Sequence, residues 1–122
     1  MSDFEFYNAN PLSKIEGDCV YRAINTATGI PYYEIAKKLK LVSELFECDE
    51  LCVCCYQHFL EDVLGLTRHN ANGATVGEIA KEFQDYIVLI RTEGHLTMSE
   101  YGIVYDIWDC TNEIADIFWL VK

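Results

Sequence analysis

The hydrophobic periodicity of this chain changes once, near residue 86, and that change limits the folds open to it. Before it, apolar residues recur at the three- and four-residue spacing of amphipathic helices. Beyond it, β-branched and aromatic runs over 86–91, 94–98, 103–108 and 114–121 are separated by turn residues. Those four runs read as an antiparallel meander. Helices first and strands after predict an α+β fold, with the helices packed on a C-terminal sheet of about four strands. At 122 residues the chain is long enough for one core, so a single domain over 1–122 is expected.

Within the helical part, Val20, Ala23, Ile24 and Ala27 follow Gly17 and Asp18 at helical spacing, with Asp18 as the N-cap and Gly29 closing the segment. A second helix opens at Pro31, a residue suited to the first helical position, and runs through Tyr33, Ile35, Ala36 and Leu39. Residues 41–48 fit no single pattern. A third helix, about 49–64, carries Leu51, Cys55, Phe59 and Val63 and stops at Gly65. Residues 68–73 read as a polar loop, and Thr75-x-x-Glu78 is a capping box opening a short helix to about Phe83. Residues 1–17 read as turn or extended chain leading into the first helix.

Cys19 falls in the first turn of the first helix. Unpaired N–H groups and the helix dipole favour an anion there, which lowers a thiol's pKa and raises its nucleophilic fraction. Asp18 opposes this, because a carboxylate beside a thiol raises its pKa. A small cysteine on a helix is more often core than nucleophile, so a second signal is needed.

The second signal lies in the strands. Pairing Met98 with Ile103 across the four-residue loop 99–102 sets His95 directly opposite Asp106. Leu96 and Met98 then share an apolar face with Tyr105 and Ile103, and His95 and Thr97 share the other with Asp106 and Val104. Opposed Cβ atoms lie about 4.5–5.5 Å apart, close enough for Asp106 to hold one imidazole nitrogen and leave the other free. A thiol at a helix start with a carboxylate-oriented histidine is what acyl transfer through sulfur requires.

Charge and compartment narrow the partners. A formal charge of −11, with only nine Lys and Arg, excludes binding built on phosphate contacts, whether to nucleic acid or to an anionic membrane. A basic protein or peptide would be steered in. No stretch approaches the length that spans a bilayer, and residues 1–5 lack a basic start, so a soluble, cytoplasmic protein is expected. Adjacent Cys54 and Cys55 are poorly placed for ordinary bridges, and all six cysteines are expected as thiols or metal ligands.

The cluster Cys48-x3-Cys52-x-Cys54-Cys55-x2-His58 has zinc-ligand residue types. On one helix, however, Cys48, Cys52 and Cys55 form a stripe that diverges from that of Cys54 and His58, so a buried cysteine-rich helix is expected and no cofactor is assigned. His58 and His69 have no evident partner in sequence. Trp108, Trp119, Phe118 and Tyr105 read as sheet core, and Asp109 as a cap on the turn that follows it.

Tyr7-Asn8-Ala9-Asn10-Pro11, Gly17-Asp18-Cys19-Val20-Tyr21-Arg22-Ala23-Ile24, Gly94-His95 and Tyr105-Asp106-Ile107-Trp108-Asp109 come in that order. They resemble the landmarks of small papain-like proteins found mostly in phages and prophages, roughly Y-N-P-N-P, G-D-C-x-x-R-A-I, G-H and Y-D-T-W-D. The likeness covers both ends of the chain and leaves about 40–85 unmatched. Ala9 stands where the family has its first proline, and Ile107 where it has threonine.

The resemblance implies a compact papain-like fold with Cys19 as nucleophile, His95 as base and Asp106 as orienting carboxylate. It implies a cysteine hydrolase, a peptidase, isopeptidase or amidase, acting on a protein or peptide in the host cytoplasm. Papain-like enzymes usually take one oxyanion donor from a glutamine just before the nucleophile. Here that stretch offers Ser13, Asn10 and Asn8, of which Asn10 is the candidate, alongside the Cys19 backbone N–H. The alternative is a catalytically silent papain-like module that binds and inhibits a host protein.

Overall fold

The computed structural model describes residues 4–12, 18–48 and 53–122. Helix α1 (Cys19–Thr28) buries Val20, Ala23, Ile24 and Ala27, the stripe its sequence spacing predicts. It ends at Gly29, whose φ of 78° lies in the left-handed region where glycine meets no Cβ penalty, and whose N–H returns to the Asn25 carbonyl at 2.9 Å. Helix α2 (Tyr32–Phe46) starts one residue late, because Pro31 is extended (ψ 139°) and takes the N-cap. It also absorbs most of 41–48, since Val42 continues the buried stripe of Ile35 and Leu39.

Helix α3 (Val53–His58) covers the later part of the third expected helix, and residues 49–52 of that segment lie outside the described residues. It widens into a π-turn over Phe59–Val63, where the Leu64 N–H reaches the Phe59 carbonyl at 3.0 Å. Phe59 and Leu60 stay buried through the turn, while Glu61 accepts the Trp119 Nε1–H at 2.9 Å.

The remaining elements are β1 (Phe4–Phe6), β2 (Arg68–Asn70), α4 (Val76–Glu82), β3 (Ile87–Thr92), β4 (His95–Glu100), β5 (Ile103–Asp106) and β6 (Ala115–Leu120). The α+β class is as expected, but the described sheet has six strands rather than four, in the order β1-β5-β4-β3-β6-β2. Only the β1–β5 pair is parallel. The two additional strands come from the segments read as extended chain and polar loop. Both are three-residue edge strands, largely exposed, so neither needs the alternating apolar pattern that reveals a half-buried strand.

Both faces of the sheet are covered. Leu89, Leu96, Met98, Ile117 and Trp119 pack against α1, α2, α3 and the π-turn. Val88, Ile90, Val104 and Phe118 pack with Val76, Ile79 and Ala80 of α4 in a second cluster. At α4 the expected capping box is complete: the Thr75 hydroxyl accepts the Glu78 N–H and the Glu78 carboxylate accepts the Thr75 N–H. Among the described residues, no helix is long and apolar enough to cross a membrane.

The β4–β5 register corrects the one expected from sequence. Ser99 pairs with Val104 and Glu100 with Ile103, leaving a two-residue turn in which Tyr101 (φ 51°) and Gly102 (φ 86°) are both left-handed. Such a turn matches the twist of the strands it joins, and it draws Ser99 and Glu100 out of the supposed loop and into β4. The strand slides by two residues, so Thr97, not His95, faces Asp106 when the register is continued. An even shift keeps every side chain on its face.

Candidate active site

Cys19 is the first residue of α1 and is partly buried against the helical layer. Its thiol lies beside the His95 imidazole and the Leu96 backbone N–H, and both stabilise its anion. Burial alone would push this thiol up. The His95 imidazole, the Leu96 N–H and the positive charges of His95 and Arg22 outweigh burial, and Cys19 is held below the ordinary thiol value.

His95 opens β4, and its Nε2 lies 2.7 Å from Asp106 Oδ2. The contact is diagonal across the strand pair, within the reach of an imidazole and a carboxylate. Burial disfavours the imidazolium, but the bond to Asp106, with further bonds to Cys110 and Cys19, pushes His95 up to about 11. Burial would likewise raise Asp106. Its bond to His95, the imidazolium charge and the Ile107 N–H on Oδ1 at 2.7 Å hold it below the usual carboxylate range. All three directions favour a thiolate, an imidazolium and a carboxylate in series.

Asp18 departs from its expected role. It occupies the N-cap position but makes no side-chain capping bond. Its buried carboxylate instead pairs with Arg22, one helical turn on, and accepts the Tyr32 hydroxyl at 2.6 Å and the Asn10 Nδ2–H at 2.9 Å. Asn10, expected as an oxyanion donor, has its amide oxygen on the Leu12 N–H at 2.9 Å. It does not line the cavity at the thiol. Its amide thus ties residues 7–12 to the base of α1.

The cavity beside Cys19 holds about 150 Å³. Val20, Val53, Tyr56 and Leu96 give it apolar walls, and Arg91, Gly94 and His95 complete the described lining. Arg91 is paired with Asp116. Trp108, expected in the core, is 42% exposed and stands 5.1 Å from the His95 ring. It lies in the bend beyond β5, whose last residue is Asp106.

His95, Asp106 and Cys110 offer ligand atoms within 4.8 Å of one another, a donor set known for zinc. The 2.7 Å between Nε2 and Oδ2 is a hydrogen-bond distance. Two donors on a tetrahedral zinc would stand about 3.3 Å apart, so the cluster is arranged around a proton. Of the cysteine-rich segment, Cys48, Cys54, Cys55 and His58 form no such group among the described residues, and Cys52 lies outside them. Cys55 is buried with its thiol on the Leu39 carbonyl at 3.4 Å, and His58 stacks on Phe46 and bonds Asp62 at 2.7 Å. His69 stacks on Phe118, and Asp109 caps its turn through the Thr111 N–H and hydroxyl. Among the described residues, no disulfide joins Cys19, Cys48, Cys54, Cys55 and Cys110.

Among the described residues, then, a thiol at a helix start, an imidazole and a buried carboxylate meet at one end of a covered α+β sheet. No family model matches this chain, and no curated protein or solved structure matches it. Sequence reasoning gave Arg22 and Cys110 no role in the site and placed Trp108 in the core. The first had a readable signal, the Asp18-x3-Arg22 spacing that puts opposite charges on neighbouring helical turns. Cys110 and Trp108 reach the site through the bend after β5, and residue spacing carries no signal for that path.

Proposed function

We propose that this chain is a papain-like cysteine hydrolase, a peptidase, isopeptidase or amidase that works through an acyl-enzyme on Cys19. The observation that carries the reading is the His95 ring, set beside the Cys19 thiol at one cavity with its Nε2 2.7 Å from Asp106. In this mechanism the thiolate attacks the substrate carbonyl, forming a C–S bond. The His95 imidazolium gives its proton to the nitrogen as the C–N bond breaks. Neutral His95 then takes a proton from water, whose oxygen displaces the sulfur and releases the acid.

The Cys19 N–H, among the first donors of α1 and without an intrahelical acceptor, is the proposed donor to the oxyanion. The −11 charge suits a protein or peptide substrate with basic character, and a nucleophilic thiol suits the reducing cytoplasm of a host cell. The resemblance to phage and prophage proteins agrees with that setting.

One observation favours the silent binding module instead: the Asn10 amide is on Asp18 and Leu12, so the expected second oxyanion donor is otherwise engaged. Alkylation of Cys19 across pH, followed by mass spectrometry with the other cysteines as internal controls, tests the enzyme reading. We expect a reactive midpoint below the ordinary value of about 8.5, moving up in His95→Ala. A thiol of ordinary midpoint, indifferent to His95, would reject the enzyme. Cys19→Ala then separates the two readings, because a hydrolase loses function with its fold intact whereas a binder keeps its partner.

A further inference from the structure

Arg22 is a buried cation that the mechanism above does not use. It is 6% exposed, on a helix whose other buried residues are Val20, Ala23, Ile24 and Ala27. A guanidinium is costly to bury unless it is paired, and here it meets two carboxylates. It pairs with Asp18 Oδ1, and its Nη2 stands 3.7 Å from Asp106 Oδ1. Both carboxylates are buried, with Asp18 4% and Asp106 5% exposed. Asp18 immediately precedes the thiol in sequence, and Asp106 holds the imidazole.

We propose that Arg22 is a positioning residue for the Cys19–His95 pair, clamping Asp18 at the start of α1 to Asp106 at the end of β5. The proposal rests on the hydrolase reading and deepens it. Charges alternate along the chain of contacts from Asp18 to Arg22, Asp106, His95 and Cys19, and each is held by a neighbour of opposite sign. Without the guanidinium, two buried carboxylates lose their shared cation and one of them takes up a proton. A protonated Asp106 no longer holds the imidazolium, and the thiolate loses its counter-charge.

Three other titratable groups stand near this chain among the described residues. Tyr32 of α2 donates to Asp18, and Cys110 beyond β5 lies 3.8 Å from Asp106 Oδ2. Arg91 of β3 reaches the cavity but is paired with Asp116 of β6. None of them replaces Arg22 between the two aspartates.

The test is the pH midpoint of Cys19 alkylation in Arg22→Met, Arg22→Lys and the double variant Arg22→Met with Asp18→Asn. The double variant removes the carboxylate that Arg22→Met would orphan, which protects the fold, and circular dichroism checks it. We expect the midpoint to rise by about one unit in both variants carrying Met, a roughly tenfold smaller thiolate fraction at neutral pH. Arg22→Lys, which keeps the charge, should restore most of the shift. A midpoint below the ordinary value that depends on His95 yet stays put in the folded double variant would overturn the role of Arg22 alone. A wild-type midpoint that is ordinary and indifferent to His95→Ala would overturn the hydrolase reading along with it.

Discussion

At the scale of single residues, Asp106 concentrates the chemistry. Its Oδ2 serves His95 and Cys110, its Oδ1 serves the Ile107 N–H, and Arg22 stands within ion-pair range. Asp106→Asn keeps the size and one acceptor oxygen but removes the carboxylate whose hydrogen bond raises His95 most strongly. His95 should then fall back toward the usual histidine range, and alkylation of Cys19 at pH 7 should slow at least several-fold with the circular dichroism spectrum unchanged. A variant that alkylates at the wild-type rate would mean the carboxylate orients the ring without charging it. Trp108, 5.1 Å from His95, adds an aromatic wall on the solvent side, where a ring face is attracted to an imidazolium.

At the scale of elements, the local signals were the legible ones. The stripe of α1, the capping box of α4 and the four central strands all follow from spacing that a reader of the sequence can count. Thr75→Ala tests one of them: losing a side-chain cap should cost about 0.5–2 kcal/mol, read from the urea midpoint. An unchanged midpoint would place the stability of α4 entirely in Val76, Ile79 and Ala80. What could not be read was set by partners far along the chain. β1 and β2 exist because β5 and β6 offer them edges, and Asp18 leaves its capping role because Arg22, Tyr32 and Asn10 satisfy it. The β4–β5 register was missed by two residues, since Tyr101 is not a residue that advertises positive φ. The candidate site survived that error because the shift was even. An odd one would have turned His95 and Asp106 to opposite faces.

At the scale of the whole molecule, the site leaves a mark on stability. His95 is raised to about 11, so its contribution is complete below about pH 6.5 and is lost as pH rises toward 11. Cys19 is lowered, so its contribution grows as pH rises toward the ordinary thiol value of about 8.5. Above the folded thiol's own midpoint and below the ordinary thiol value, the folded pair holds one proton on the imidazolium, and the unfolded pair holds one on the thiol. The two slopes cancel, and urea unfolding at 25 °C should give a free energy nearly flat with pH. In Cys19→Ala only the histidine remains, and stability should fall by up to about 1.4 kcal/mol per pH unit from about pH 7 upward, until pH reaches the folded histidine's own midpoint. Equal slopes in the two proteins would show that the pair does not share its proton in this way.

The parallel pairing of β1 with β5 also bears on how the protein is made. Phe4 finds its partner only at Val104, and Phe6 at Asp106. During synthesis Cys19 leaves the ribosome well before His95 and Asp106, the residues that surround its thiol in the folded protein. The strand that pairs with the Asp106 strand must wait just as long. A nascent chain therefore carries an ordinary, unassisted thiol, and the contacts that lower Cys19 form only after the strands bearing His95 and Asp106 have followed it, a form of latency that needs no inhibitor and no cleavage.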